Sequence, residues 1–345
     1  MTKIHLTVVF VICFFWCHGQ QQGGNRPDTV VMNLQQAEDS FLVKNLALIA
    51  QQYSIDSAKA TVITARLWDN PELDYSNAVY NTEDHHFFEP EMNIQVSQLV
   101  KLAGKRNKAI TLARSGIDIA QYQFYDLMRT LNYTLRSDFY NIYFLQRSSK
   151  LYDFEISTLK DIIAPMQEQV KNGYLAPVEV LRIQSQLYTL ESEYDALKTN
   201  IENVESELKL MVRTPPDTFI IANIDTASIK KNPLSGWTYN ELLDTALLNR
   251  PDLQELSAIT VYNQNNLALQ QALAKPDITI SAAYDRLGSY VKNYNSIGIG
   301  IPLPLFNRNQ GNIRNARVAI SQSQLDYESG IDRVKSEVST SYISA

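Results

Sequence analysis

The chain has 345 residues, 45% of them hydrophobic and 20% charged, with a formal net charge of -6. That length allows more than one domain and substantial cores, and the mildly acidic balance offers nothing to a nucleic-acid backbone. Both cysteines, Cys13 and Cys17, lie close to the amino terminus, so the rest of the chain can form no disulfide and no thiolate metal site.

Residues 1–19 read as a signal peptide: Lys3 precedes the apolar run Val8 to Trp16, and a Gln-rich stretch follows. The run is too short to span a bilayer as a helix. Cleavage after Gly19 would leave the small Cys17 and Gly19 in the two pocket positions. The alternative, lipidation of Cys17, conflicts with the bulky Trp16 before it.

A first repeat, 20–213, opens with a helix expected over 34–67 and stopped by Asn70-Pro71. Two alternating strands follow at 72–80 and 92–101, with Leu73, Tyr75 and Val79, then Met92, Ile94 and Val96, on the apolar side. A long helix is expected over 104–170, with apolar residues at spacings of three and four from Ile110 to Ile142 and again from Tyr152 to Val170. At ~1.5 Å per residue it would be a rod of roughly 100 Å. Pro165 should kink it or remove a backbone bond. A turn at 172–177 leads into a helix over 178–212, whose seam runs without interruption from Val180 to Met211.

Pro215-Pro216 opens a linker, 214–237. A second repeat, 238–345, then restarts the order: a helix over 239–273 interrupted at Asn249-Arg250-Pro251-Asp252, strands at 277–286 and 296–305, and a helix over 309–345. Pro71 and Pro276 are 205 residues apart, and Gln98 and Pro302 are 204 apart. The unit therefore occurs twice. By that offset a counterpart of Gly173 would fall near residue ~377, so the second repeat is expected to be truncated before its tip.

Each strand has the length a tilted strand needs to cross a bilayer, and each has one apolar side. Membrane barrels begin at ~8 strands and tolerate no open edge in lipid, so the four strands of one chain must be pooled. Three copies would close a twelve-stranded barrel.

The residues Gln98-Leu99-Val100-Lys101-Leu102-Ala103-Gly104-Lys105-Arg106, Asn249-Arg250-Pro251-Asp252-Leu253 and Ile301-Pro302-Leu303-Pro304-Leu305-Phe306-Asn307-Arg308-Asn309-Gln310-Gly311, in that order and spacing, resemble the TolC-type outer membrane factors. The Gly-Lys-Arg and Pro-Leu-Phe-Asn-Arg-Asn-Gln forms look most like the heavy-metal efflux branch typified by CzcC and CusC. The resemblance implies a mainly α fold with β membrane hairpins: a channel-tunnel of long antiparallel helices forming an α-barrel, a trimer-shared 12-stranded β-barrel, and internal duplication. It implies a passive homotrimer in the outer membrane of a Gram-negative bacterium, with its helices in the periplasm. Its partners would be outer-membrane lipid, a periplasmic adaptor and an inner-membrane pump of RND or ABC type, and its cargo heavy-metal cations or small toxic compounds. It also places the periplasmic tip and adaptor contact on Gly173, Leu175 and Glu179.

No phosphate loop, nucleophile elbow or His/carboxylate constellation points to an enzyme, and no cofactor is implied. The weak metal candidates are His85 and His86 in an acidic loop. Neighbours on a strand point to opposite faces, so a solvated loop is the expected reading. The rival to a channel is a soluble periplasmic coiled-coil adaptor or structural binding protein. An adaptor would need β-rich halves flanking a single hairpin, and this chain instead repeats its strands between helices.

Overall fold

The computed structural model describes residues 28–77, 79–81, 86–87, 92–225, 236–287 and 291–344, with the backbone alone described at 80, 81, 86 and 87. The expected signal peptide, Cys13, Cys17 and His85 lie outside these residues. The elements in order are β1 (Thr29–Asn33), α1 (Leu34–Lys44), α2 (Leu46–Arg66), β2 (Glu72–Asn77), β3 (Tyr80–Asn81), β4 (His86–Phe87) and β5 (Met92–Val100). Then come α3 (Lys105–Lys171), α4 (Pro177–Val212), β6 (Phe219–Asn223), α5 (Tyr239–Asn249), α6 (Pro251–Leu273), β7 (Ile278–Asp285), β8 (Tyr294–Gly300) and α7 (Gln310–Ser344).

Several boundaries differ from the sequence expectation. The helix expected over 34–67 is two helices, because Asn45 leaves helical geometry and caps α2. Its side-chain oxygen accepts from Ala47 N at 3.0 Å and Leu48 N at 3.2 Å, and its amide donates to Met211 O at 3.3 Å. An asparagine that satisfies two orphan amides competes well with helix continuation. β8 stops at Gly300 rather than 305, because Gly300 already faces Thr279, the second residue of β7. Beyond it Pro302 and Pro304 have no N–H to extend a ladder. The stretch expected as linker contains β6. Pro165 lies inside α3, which continues through it at the loss of one hydrogen bond.

The duplication is visible in the elements. α1 and α5 begin at Leu34 and Tyr239, and α3 and α7 begin at Lys105 and Gln310, each pair 205 residues apart. The helix breaks at Asn45 and Arg250 and the left-handed residues Gly104 (φ 68°) and Asn309 (φ 58°) keep the same offset.

The chain forms two compact units. The first comprises 140–210, 214–223 and the strand before Leu34. Its core is the seam of α3 against α4: Ile156, Ile163 and Leu187 are buried, packed by Leu159, Ile183, Leu190 and Tyr194. These are the seam positions of the sequence pattern, each contributing about 1.5–3 kcal/mol on full burial. Tyr152 stacks on Tyr194 with ring centroids 5.8 Å apart. β1 pairs in parallel with β6, from Thr29↔Phe219 to Asn33↔Asn223. A two-stranded sheet is marginal alone, and helix side chains cover the other edge of β6. The buried Glu205 accepts from Ile220 N at 2.6 Å, and Gln146 bridges Ile220 O and Ala222 N at 2.6 and 3.2 Å.

The second unit, 34–139, 211–213 and 224–344, holds the antiparallel sheet β2-β5-β7-β8. Its helices bury Phe41, Leu48, Ile55, Leu135, Phe139, Leu253 and Val334. α6 and α7 approach so closely that a Cβ on Gly330 would stand 2.6 Å from Leu256 Cδ1 and 3.1 Å from Leu253 Cδ2, so a larger residue there would have to displace those leucine ends.

Among the described residues one ion pair joins the two repeats. The buried Lys105 Nζ lies 2.7 Å from Asp277 Oδ1 and donates to Lys275 O at 2.7 Å. The same Asp277 oxygen accepts from Leu102 N at 2.9 Å. The strand-to-helix corner of the first repeat is thus held to the helix-to-strand corner of the second. We expect Lys105→Met to lower stability by about 3 kcal/mol, since it strands a carboxylate among half-buried groups. Adding Asp277→Leu should recover part of that loss. Thermal unfolding of the detergent-purified protein reads both, and an unchanged midpoint for Lys105→Met contradicts the clamp.

Candidate channel wall and tip

The four-stranded sheet sorts its side chains by face. Directly opposed residues of an antiparallel ladder share a side. Leu73↔Val96, Tyr75↔Ile94, Val96↔Ala282, Ile94↔Tyr284, Ala282↔Ile297 and Ile280↔Ile299 therefore form one continuous apolar face. The opposite face carries Glu72, Asp74, Asn93, Gln95, Ser97, Thr279, Ser281, Asp285, Ser296 and Gly298. In the single chain the apolar face is bare: Leu73 is 67% exposed and Ile297 84%. β2 and β8 are edge strands. No helix among the described residues is long and apolar enough to cross a membrane; this sheet is the surface whose sidedness suits lipid.

The turn expected at 172–177 belongs to the first unit. Gly173, with φ 79°, follows the end of α3, where its N–H donates to Val170 O at 3.0 Å and Tyr174 N donates to Gln169 O at 2.9 Å. This pair of bonds is a Schellman cap, which needs a residue comfortable at positive φ. Pro177 then opens α4, where its missing N–H costs nothing. Leu175 is half-buried in the turn, and Tyr174 beside it is exposed. Glu179 pairs with Arg182 of its own helix at 3.1 Å, an exposed contact one turn along. Gly173, Leu175 and Glu179, the residues the resemblance implies for the tip, have distinct surroundings: a cap glycine, a tucked leucine in the turn and a carboxylate in the first turn of α4 paired along its own helix. Replacing Gly173 with Val should cost about 1–2 kcal/mol. Amide exchange should quicken around 168–178 while the α3–α4 seam keeps its protection; no change at the turn would contradict the cap.

Of the histidine pair, His85 lies outside the described residues and His86 is described by its backbone alone. Among the described residues no group of three or more His, Cys, Asp or Glu side chains could hold a metal ion.

Residues quoted above only as motif members have definite work in the second unit. Arg250 grips Asp252 through two nitrogens, Nε to Oδ1 at 3.0 Å and NH2 to Oδ2 at 2.7 Å, and reaches Glu337 of α7 at 2.6 Å. Arg333 approaches Asp252 at 3.7 Å. Asp252 is held below the usual carboxylate range. Burial pushes it upward, but the hydrogen bonds and charge of Arg250, with the charge of Arg129, outweigh that. A carboxyl lowered on folding contributes stability above its ordinary value of 3.8 and loses it as pH falls through the lower folded value. We therefore expect Asp252→Asn to be less stable than the parent by about 2 kcal/mol at neutral pH. The gap should narrow below about pH 4. Thermal unfolding across that range checks this, and a gap that stays constant to pH 3 would refute it.

Long helices continuous with a one-sidedly apolar, open-edged sheet are the architecture of the TolC-like outer membrane channels. A family model described as outer membrane efflux protein matches residues 38–212 and 242–345, and the chain belongs to that family. It is 23% identical over 283 residues to the cobalt-zinc-cadmium resistance protein CzcC of Cupriavidus metallidurans, an alignment covering 82% of this chain and 65% of that protein. Solved structures with the same fold include CusC (TM-score 0.72, 16% identity, 88% of this chain and 73% of that one). VceC of Vibrio cholerae gives 0.65 at 16% identity, covering 87% and 75%, and MtrE of Neisseria gonorrhoeae gives 0.66 at 14% identity, covering 87% and 70%.

Proposed function

We propose that this protein is the outer-membrane exit duct of a tripartite efflux system. The carrying observation is the sheet: apolar on one face, polar on the other, open at both edges and continuous with the helical wall. In lipid the open edges of β2 and β8 need partners. Three copies contributing four strands each make a twelve-stranded barrel whose polar face lines water. The helices extend that conduit into the periplasm, where the Gly173 turn, with Leu175 and Glu179, meets a periplasmic adaptor. An inner-membrane pump of RND or ABC type supplies the energy, and the duct supplies the path. Residues 1–19 serve as the export signal. The curated relative's name, a cobalt-zinc-cadmium resistance protein, supports heavy-metal cations as cargo ahead of other small toxic compounds.

Light scattering of the detergent-purified full-length protein should give a trimer; a monomer, or recovery in the soluble periplasmic fraction, overturns the duct. A deletion strain should gain sensitivity to one or more of zinc, cobalt, cadmium and copper. Unchanged sensitivity to all four removes metal as the cargo.

A further inference from the structure

The internal duplication assigns the seam between copies. We infer that β8 of one copy pairs with β2 of the next in the register that β5 and β7 show within the chain, and that Glu72 of the partner subunit completes there the clamp Asp277 makes inside it. This rests on the shared barrel proposed above and deepens it.

β2 stands to its repeat as β7 does to the second, and β8 as β5 does. Within the chain Val100 faces Ile278, Gln98 faces Ile280 and Val96 faces Ala282. Moving each strand by the 205-residue offset that separates α1 from α5 and α3 from α7 sets Leu305 opposite Leu73, Leu303 opposite Tyr75 and Ile301 opposite Asn77 of the partner subunit. Side-chain facing provides an independent check. Leu73 and Tyr75 belong to the apolar face through their pairing with β5, and Ile297 and Ile299 through their pairing with β7. The transferred register keeps both sets on one side, whereas a slip of one residue would turn every apolar side chain of β8 toward the water side. It also gives the alternating stretch Ile301 to Leu305, which has no partner on β7, a strand to run beside.

The same offset carries the corner. Leu102, Lys105 and Asp277 correspond to Asn307, Gln310 and Glu72. In the single chain Glu72 is exposed and, among the described residues, its carboxylate has no hydrogen-bond or ion-pair partner. The Asn307 N–H likewise has none among the described residues. Gln310 uses one amide hydrogen on Phe306 O at 3.3 Å and accepts from Arg308 N at 2.7 Å, leaving its other hydrogen to donate. Side-chain reach is conserved in sum. Gln310 is one bond shorter than Lys105, and Glu72 is one methylene longer than Asp277. The donor set that receives Asp277 thus recurs at 307–310 with its carboxylate missing, and the carboxylate of the corresponding position stands unused on the far edge of the sheet.

Directly opposed strand residues lie within disulfide reach, so cysteine pairs in the full-length protein test the register. Mild oxidation of Leu303→Cys/Tyr75→Cys in outer membranes should give covalent multimers on non-reducing gels. Leu303→Cys/Ser76→Cys and Leu303→Cys/Asn77→Cys should give far less, with the parent controlling for Cys13 and Cys17. Trimers that cross-link best at another pair overturn the register and leave the duct standing, whereas a monomeric parent overturns the duct itself. For the clamp, Gln310→Lys should raise the temperature at which trimers dissociate, and in a Glu72→Ala background it should raise nothing. An equal effect in both backgrounds, or none in either, overturns the assignment of Glu72.

Discussion

The second unit turns on one charge pair at the corner where strands become helices. Lys105 and Asp277 come from opposite repeats, 2.7 Å apart, with the lysine almost removed from solvent. Neither could be buried alone, because desolvating an unpaired ammonium costs several kcal/mol. Mutual attraction alone would not offset that cost. Lys275 O and the Leu102 N–H complete the hydrogen bonding, and a buried pair is tolerable only with such support. The clamp fixes where β5 meets β7, and through that register which side chains share a face along the whole sheet.

Other junctions in the second unit apply the same logic with different groups. The helix break at Asn45 is held by a side-chain amide on Met211 O, and the break at Arg250 by a bidentate ion pair reaching α7. Near the clamp, Arg106 lies over Trp68 at 4.6 Å and donates to Arg66 O, while Lys101 pairs with Asp69 at 2.9 Å. The two repeats share positions and backbone geometry but not chemistry. Gly104 and Asn309 both take a left-handed conformation, one by lacking a Cβ and the other as the residue type that tolerates it best. Shape has been kept while the contacts diverged.

The two faces of the sheet differ in the solvent they suit. The apolar ladder from Leu73 to Ile299 suits a hydrocarbon solvent, and the Glu72, Gln95, Ser97, Ser281 side suits water. Glu205, almost fully buried, spends its charge on a β6 amide and on Lys209 at 3.2 Å.

Periodic, local features were legible in the amino-acid order. The three-and-four spacing of Ile156 to Tyr194, the strand alternation at Met92 to Gln98, the Asn172-Gly173 turn and the 205-residue duplication all follow from helix and strand geometry, which acts over a few residues. Asn45 as a break, β1 and β6 as a sheet, and the end of β8 were not legible. Asn45 caps α2 with its own oxygen, but its amide finds Met211 O only in the fold, and Phe219 to Asn223 is a strand because residues outside it, 29–33, 146 and 205, satisfy its backbone. The roles of Lys105 and Arg250 were hidden for the same reason: each motif was recognisable, but its partners, Asp277 and Glu337, lie 172 and 87 residues away. Local periodicity determines which elements exist, and only the packed chain decides which charges and amides meet.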